Sequence, residues 1–301
     1  MRIAVLKGGW SSERDISLRS ATFVSNELRR AGHDVHEIDI IKDLKYITDR
    51  LYESSPSFIV NMLHGIGGED GVIQGILEVF GIPYSGSRVL GSSIAFHKSI
   101  CKTIVKSNGV KVVDGFDIHS TDIQYINTLS GIQVSYPFVV KPAANGSSVG
   151  VFLIFNDGDL KKLKDISWTF GDDVILEQYI YGREFTVLVN DGKSVGALEI
   201  IPNSKFYDYG SKYDIGGSSH VLDFDLDTAL MEQMLSMAET AFKVCHCCSF
   251  TRVDFKISDD NIYFLEINTQ PGMTNTSLVP EIAKYSNIEL IDILDIKNSV
   301  Y

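Results

Sequence analysis

The chain has 301 residues, 44% of them hydrophobic, and a formal net charge of −12 with a pI near 5.0. That length suits about two domains with ample core, and the acidic balance argues against nucleic acid or an anionic membrane as the main partner. An anionic substrate would need locally gathered Lys and Arg, and with only four consecutive apolar residues before Lys7 and no stretch of membrane-span length, a cytoplasmic protein is expected.

The first elements alternate. "RIAVL" reads as an apolar strand, followed by the loop "KGGWSSER" and a helix carrying Ile16, Val24 and Leu28 on one side. "DVHEIDI" and "SFIVNML" are further strands, and "VIQGILEVFG" is a helix closed by Gly81. The pattern is an open α/β unit whose loops gather at the C-terminal strand ends, so "GGWSSER" and "LHGIGGEDG" bring Glu13, His64 and Glu69 to a ligand-binding crevice. A dinucleotide fold is the rival reading, but "GGWSSE" lacks the remaining glycine of that fingerprint.

A single helix holding Ile94, Cys101, Ile104 and Val105 follows and ends at "SNG". Strand signals then take over in "PFVVKP", "VFLIF", "DVILEQYI", "EFTVLV" and "SVGALEII", with "NDGK" marking a hairpin between the last two. Nothing repeats at a period of about 20 to 50 residues, and no low-complexity linker separates the parts.

"FVVKPAANGSSVGVFLIF" runs a strand into Lys141, then into a loop of Asn145, Gly146, Ser147, Ser148 and Gly150, then back into a strand. Such a loop either cradles phosphates on its backbone N–H groups, with Lys141 adding charge, or is a simple hairpin turn. It is not a Walker loop, because the lysine precedes the glycines and a strand follows. Three of the four cysteines crowd into "VCHCCSF" with His246, but no second ligand pair makes a zinc site, and buried or incidental thiols are expected.

In "TRVDFKISDDNIYFLEINTQPGM" two strands flank Asp259, Asp260 and Asn261. A hairpin centred on residue 260 sets Asp254 opposite Glu266 and Arg252 opposite Asn268, all on one face at period two. Facing carboxylates repel unless a cation lies between them, and carboxylate and carboxamide oxygens suit Mg²⁺.

In order and spacing, "GGWSSERDIS", "LHGIGGEDGVIQGILE", "KPAANGSSVG", "ILEQYIYGREFTV", "FYDYGSKY", "RVDF" and "LEINTQPGMTNTSLVP" resemble the ATP-grasp superfamily and, within it, the D-alanine–D-alanine ligases, along nearly the whole chain. The resemblance implies an α/β (α+β) architecture: an N-terminal open α/β domain over 1–92, then antiparallel-sheet subdomains over 93–182 and 183–301 that clamp ATP. It implies ligation of two D-alanines through an acyl phosphate for peptidoglycan precursors, in a cytoplasmic homodimer using two Mg²⁺ ions, with Mn²⁺ as substitute.

Carried over residue by residue, Lys98 and Lys141 contact the phosphates under a lid that includes Ser148, while Glu177, Tyr179, Ile180 and Glu184 hold adenine and ribose. Asp254, Glu266 and Asn268 hold Mg²⁺. Glu13 meets the first D-alanine's ammonium with His64 and Glu69 nearby, and Ser147 and Tyr213 bond with Glu13 to close the site. Lys212 steadies phosphate and substrate, Arg252 and the Gly272 amide form the oxyanion site, and Ser277 and Leu278 hold the second D-alanine's carboxylate. The Lys212-Tyr213 pair goes with amine acceptors, and Pro202 to Leu222 is expected to be a mobile lid.

Two departures stand out: Ser249 where glycine is common, and "SSHVLDFDL" without the usual Pro-Ala. The alternatives are a related ligase with another acceptor, such as D-lactate, and a nucleotide-binding protein without catalysis.

Overall fold

The computed structural model describes residues 1–127, 135–202, 217–294 and 296. β1 (Arg2–Gly8) is followed by α1 (Arg14–Arg30), β2 (Asp34–Ile40), α2 (Leu44–Ser54), β3 (Phe58–Asn61) and α3 (Val72–Phe80). The three strands form a parallel sheet ordered β2-β1-β3. Ile3 to Leu6 of β1 and Phe58 to Val60 of β3 are buried without alternation, as in strands covered on both faces. α1 turns Val24 and Leu28 onto this sheet, and α2 and α3 cover it with Ile47, Leu51, Ile73 and Leu77. The loops after β1 and β3 leave from the same edge of the sheet, so Glu13 and His64 emerge side by side.

The helical stretch expected as one piece is two: α4 (Val89–Phe96) and α5 (Lys98–Ser107), broken at His97, whose backbone is extended at φ −92°, ψ 94°. The Lys98 amide leaves the helical ladder to donate to Ala143 O at 2.8 Å. The break starts α5 at Lys98 and anchors it to the loop after Lys141.

β4 (Gly115–His119), β5 (Phe138–Pro142), β6 (Phe152–Ile154), α6 (Asp157–Lys164) and β7 (Asp173–Gln178) make a second unit, an antiparallel sheet ordered β4-β7-β5-β6. Its core holds Phe138, Val140, Ile154, Leu160, Val174 and Leu176.

The remaining elements are β8 (Arg183–Asn190), β9 (Lys193–Pro202), β10 (Ser218–Val221), α7 (Thr228–Val244), β11 (Phe250–Ser258), β12 (Asn261–Asn268), α8 (Leu278–Tyr285) and α9 (Leu290–Ile293). The strands form an antiparallel sheet ordered β10-β9-β8-β11-β12. One face presents Phe185, Val187, Val253 and Phe255 to α7 and α5. On the other, Leu188, Leu198 and Ile200 pack with α8 and α1, while Glu184, Thr186, Asp254 and Lys256 form a polar half. That division leaves one half of the sheet to carry a core and the other to carry chemistry.

Cys101, Cys245 and Cys247 are buried and Cys248 is exposed, all as free thiols. The Cys101 and Cys245 sulfurs lie 3.7 Å apart, and the neighbouring thiol together with burial pushes the Cys101 thiol well up, which suits inert packing.

Candidate active site

The β11–β12 hairpin is not centred on residue 260. Its turn has two residues, Asp259 and Asp260, both at positive φ (46° and 60°), and Ser258 pairs with Asn261. Pairs near the turn therefore sum to one less than expected, as in Phe255 with Phe264. A bulge between Asp254 and Phe255 then inserts Leu265 as an extra residue and restores Asp254 opposite Glu266 and Arg252 opposite Asn268. The expected facing set is correct at the site, and the bulge is the reason.

The protein itself supplies cations against the repulsion between those carboxylates. Arg252 donates through Nε and Nη2 to Asp254 at 2.9 and 2.7 Å, and Thr186 Oγ1 adds a third bond at 2.6 Å. Lys98 Nζ lies 3.3 Å from Glu266 Oε2 and donates to Asn145 O at 2.6 Å. Asn268 Oδ1 accepts from the Gln270 amide at 2.8 Å and keeps a second lone pair. Two carboxylates and a carboxamide on one wall are hard donors that fit Mg²⁺ with a ligand's phosphate oxygens completing the shell. Among the described residues no three His, Cys, Asp or Glu side chains gather into a metal group, so the carboxamide and a ligand are needed.

A cavity opens between the two antiparallel sheets. One sheet lends Val139, Lys141 and Glu177, the other Glu184, Asp254, Lys256 and Leu265, and Tyr179 and Ile180 close an apolar end suited to a planar base. Lys141 Nζ pairs with Glu177 Oε2 at 2.7 Å, and Lys102 pairs with the other oxygen. Two buried cations hold the Glu177 carboxyl down at about 2, whereas burial, aided by the neighbouring Lys141 charge, pushes Lys102 down to about 8. The carboxylate expected to serve the nucleotide is paired with two lysines, and Tyr179 and Ile180 of the same segment line the cavity beside it. Glu184 pairs with Lys256 at 3.3 Å.

A second cavity adjoins the first and shares Lys98, Gly146, Ser147 and Glu266 with it. The loop between β5 and β6 forms the partition and is no simple turn. Ser147 and Ser148 both sit in the left-handed region (φ 52° and 57°), a strain on the order of 1 kcal/mol or more each that contacts must hold in place. Ser147 Oγ donates to Glu13 Oε1. A Cβ on Gly146 would stand 2.5 Å from Glu13 Oε2, so the loop passes close over this buried carboxylate.

His64 donates from Nδ1 to Gln270 O at 2.9 Å, and its Nε2 lies 3.2 Å from Ser20 Oγ. Glu69 lies 3.5 Å from His64 Nδ1. Ser20 Oγ also accepts from the Met273 amide at 3.1 Å, tying the Gln270–Met273 loop, with Gly272, to the N-terminal unit. Across the cavity Ser277 is the N-cap of α8 without a side-chain cap bond; its Oγ accepts from the Thr274 amide at 3.0 Å. The first-turn amides of α8, beginning at Leu278, suit a carboxylate.

Lys212 and Tyr213 lie outside the described residues. Of the expected lid, Ser218 to Val221 form β10, laddered onto β9 from Pro202 to Glu199, so the lid cannot run to Leu222. The sequence reading missed Lys102, Thr186, His220 and Gln270. Thr186 and Lys102 carried a signal, the strand alternation around Glu184 and the one-turn offset from Lys98. His220, which lines the second cavity and bonds Glu281 at 2.6 Å, carried none before β10 was known.

Two antiparallel sheets closing on a cavity with paired lysines and a carboxylate hairpin, behind an open α/β unit, define the ATP-grasp class. The model of the D-ala D-ala ligase C-terminus matches residues 104–296. A D-alanine–D-alanine ligase of Rhodopseudomonas palustris (strain BisA53) is 40% identical over 95% of this chain and 92% of its own. Among solved structures, D-alanine–D-alanine ligase from Bacillus anthracis complexed with ATP superposes with TM-score 0.83 at 28% identity, covering 98% and 95% of the two chains. VanG D-Ala:D-Ser ligase from Enterococcus faecalis gives 0.80 at 26% identity, covering 97% of each. The chain belongs to the D-alanine–D-alanine ligase family.

Proposed function

We propose that the chain joins two D-alanines into D-alanyl-D-alanine with cleavage of ATP to ADP and phosphate, supplying peptidoglycan precursors in the cytoplasm as a homodimer organised in units 1–92, 93–182 and 183–301. The observation that carries this reading is the pair of adjoining cavities that meet at Ser147, Lys98 and Glu266. One suits a nucleotide and the other two small amino acids, and their junction is where phosphate and carboxylate must meet.

The first D-alanine binds with its ammonium toward Glu13, whose carboxylate Ser147 orients. Its carboxylate oxygen attacks the γ-phosphorus, the bond to ADP breaks, and an acyl phosphate forms. Lys98 and Lys141 neutralise the transferring group, and positioning accounts for most of the acceleration. The second D-alanine, its carboxylate at the N-terminus of α8, presents its amine to the acyl carbon. A tetrahedral oxyanion then faces Arg252 and the Gly272 amide, phosphate leaves, and the amine loses a proton. One preorganised donor of this kind contributes roughly 3 to 4 kcal/mol. Asp254, Glu266 and Asn268 would hold Mg²⁺, or Mn²⁺ in its place, which supplies charge neutralisation at the phosphates. Lys212 and Tyr213 favour the amine over a hydroxyl acceptor such as D-lactate.

Phosphate release from ATP tests the reading. It should depend on D-alanine and appear with D-alanyl-D-alanine in equal amount. Equal release with and without D-alanine would leave a nucleotide hydrolase or binding protein instead.

A further inference from the structure

Lys102 has no place in the scheme above, yet it is among the most buried charges in the molecule, 7% exposed. It lies one turn beyond Lys98 on α5 and is not part of the nucleotide cavity wall. It reaches Glu177 from behind, out of a small cleft that it shares with Gly115. A Cβ on Gly115 would stand 2.5 Å from Leu176 O and 2.9 Å from Glu177 Cγ, so β4 lies close against β7 at this point only as glycine. Glu177 and Lys141 are diagonal neighbours on one face of the sheet, because Val139 pairs with Glu177 and Lys141 with Ile175. Each carboxylate oxygen takes one ammonium: Lys102 on Oε1, Lys141 on Oε2.

Two cations on one anion leave a surplus positive charge among buried groups, and of the two lysines Lys141 is the one that lines the nucleotide cavity. Without Lys102 the pocket would hold one carboxylate and one lysine. Glu177 would then cancel the Lys141 charge and draw its ammonium back onto both oxygens.

We propose that Lys102 is a positioning residue for Lys141: by occupying one oxygen of Glu177 it keeps the Lys141 ammonium extended and electrically available to the phosphates of ATP. This deepens the reading under Proposed function and rests on it. Lys102 touches no ligand, and its effect falls on the nucleotide, not on either D-alanine. The groups facing it are Glu177 on β7, Lys141 on β5 and, further off, Glu266 on β12. With its ammonium pushed down to about 8, nucleotide affinity should fall as pH rises through that value.

The test is equilibrium binding of a non-hydrolysable ATP analogue with Mg²⁺, alongside steady-state constants for each substrate. Lys102→Met should weaken the analogue by about ten-fold or more, since it breaks a buried hydrogen-bonded charge pair, while the KM for D-alanine stays within about two-fold. Lys102→Arg, which keeps the charge and a donor, should bind within about three-fold of the unchanged protein and lose the weakening above pH 8. If Lys102→Met is too unstable to purify, the Arg variant's flat pH profile decides alone. Equal analogue affinity in the Met variant, or a pH profile unaltered by Arg, overturns the positioning role. If the unchanged chain binds no ATP analogue, the functional reading falls, and this inference with it.

Discussion

Glu177 shows how a single residue can be legible as a site position while its partners are not. Its place after "VIL" marks it as a strand residue pointing at the cleft, but nothing in the local sequence shows Lys102, 75 positions earlier, closing on it from a helix. Its carboxyl is held at about 2 by the two lysines, below the usual 4.5, so the folded state binds fewer protons than the unfolded one between those values. The stabilisation is complete above pH 4.5 and drains as pH falls toward 2. Glu177→Gln should therefore be less stable than the parent near neutrality, and the gap in urea midpoint should narrow as pH falls below about 4.5. A constant gap would contradict the ion-pair account. Ser249 is a second lesson at this scale. It adopts φ +59°, which explains why glycine suits the position, and its Oγ donates to Ile293 O at 3.3 Å, so serine is tolerated through a bond that motif reading could not see.

Among the elements, the β11–β12 hairpin carries the most weight. Counting from a presumed turn centre gave the right facing pairs through two compensating features, a shorter turn and the Leu265 bulge. Alternation reveals a face, but a bulge depends on tertiary twist and leaves no mark in "NIYFLEIN". Inserting one residue after Leu265 should carry Glu266 off the position opposite Asp254 and abolish ligation, while α7 and the apolar face under it keep the protein folded. Activity within about ten-fold of the parent, with a native circular-dichroism spectrum, would show that the register is not what sets the site. The split between α4 and α5 was hidden for a similar reason. The apolar spacing of Ile94, Cys101 and Val105 continues across His97, and only the Lys98 amide's bond to Ala143 breaks it. β10 escaped the reading because a polar segment such as "SSHV" becomes a strand only beside a partner.

At the scale of the molecule, the cores do not follow chain order. Ile3, Val24 and Phe58 share a core with Leu198, Leu278 and Ile282, so the N-terminal unit is packed directly onto the sheet that carries Arg252 and Asp254. α5 joins the same sheet's other face through Cys101 and Val105. Motif order gave the architecture; the long-range packing that holds Glu13 against Ser147, and His64 against Gln270, lay beyond what one-dimensional spacing contains. That packing fixes the amino-acid and nucleotide cavities relative to one another, which the acyl-phosphate route requires. The most direct test follows the carboxylate oxygen. With D-alanine labelled by ¹⁸O at both carboxylate oxygens, each phosphate released should carry one ¹⁸O and each dipeptide should lack one, because the attacking oxygen leaves with phosphorus. Phosphate without label, formed alongside dipeptide, would contradict an acyl phosphate and with it the account of how the two cavities work together.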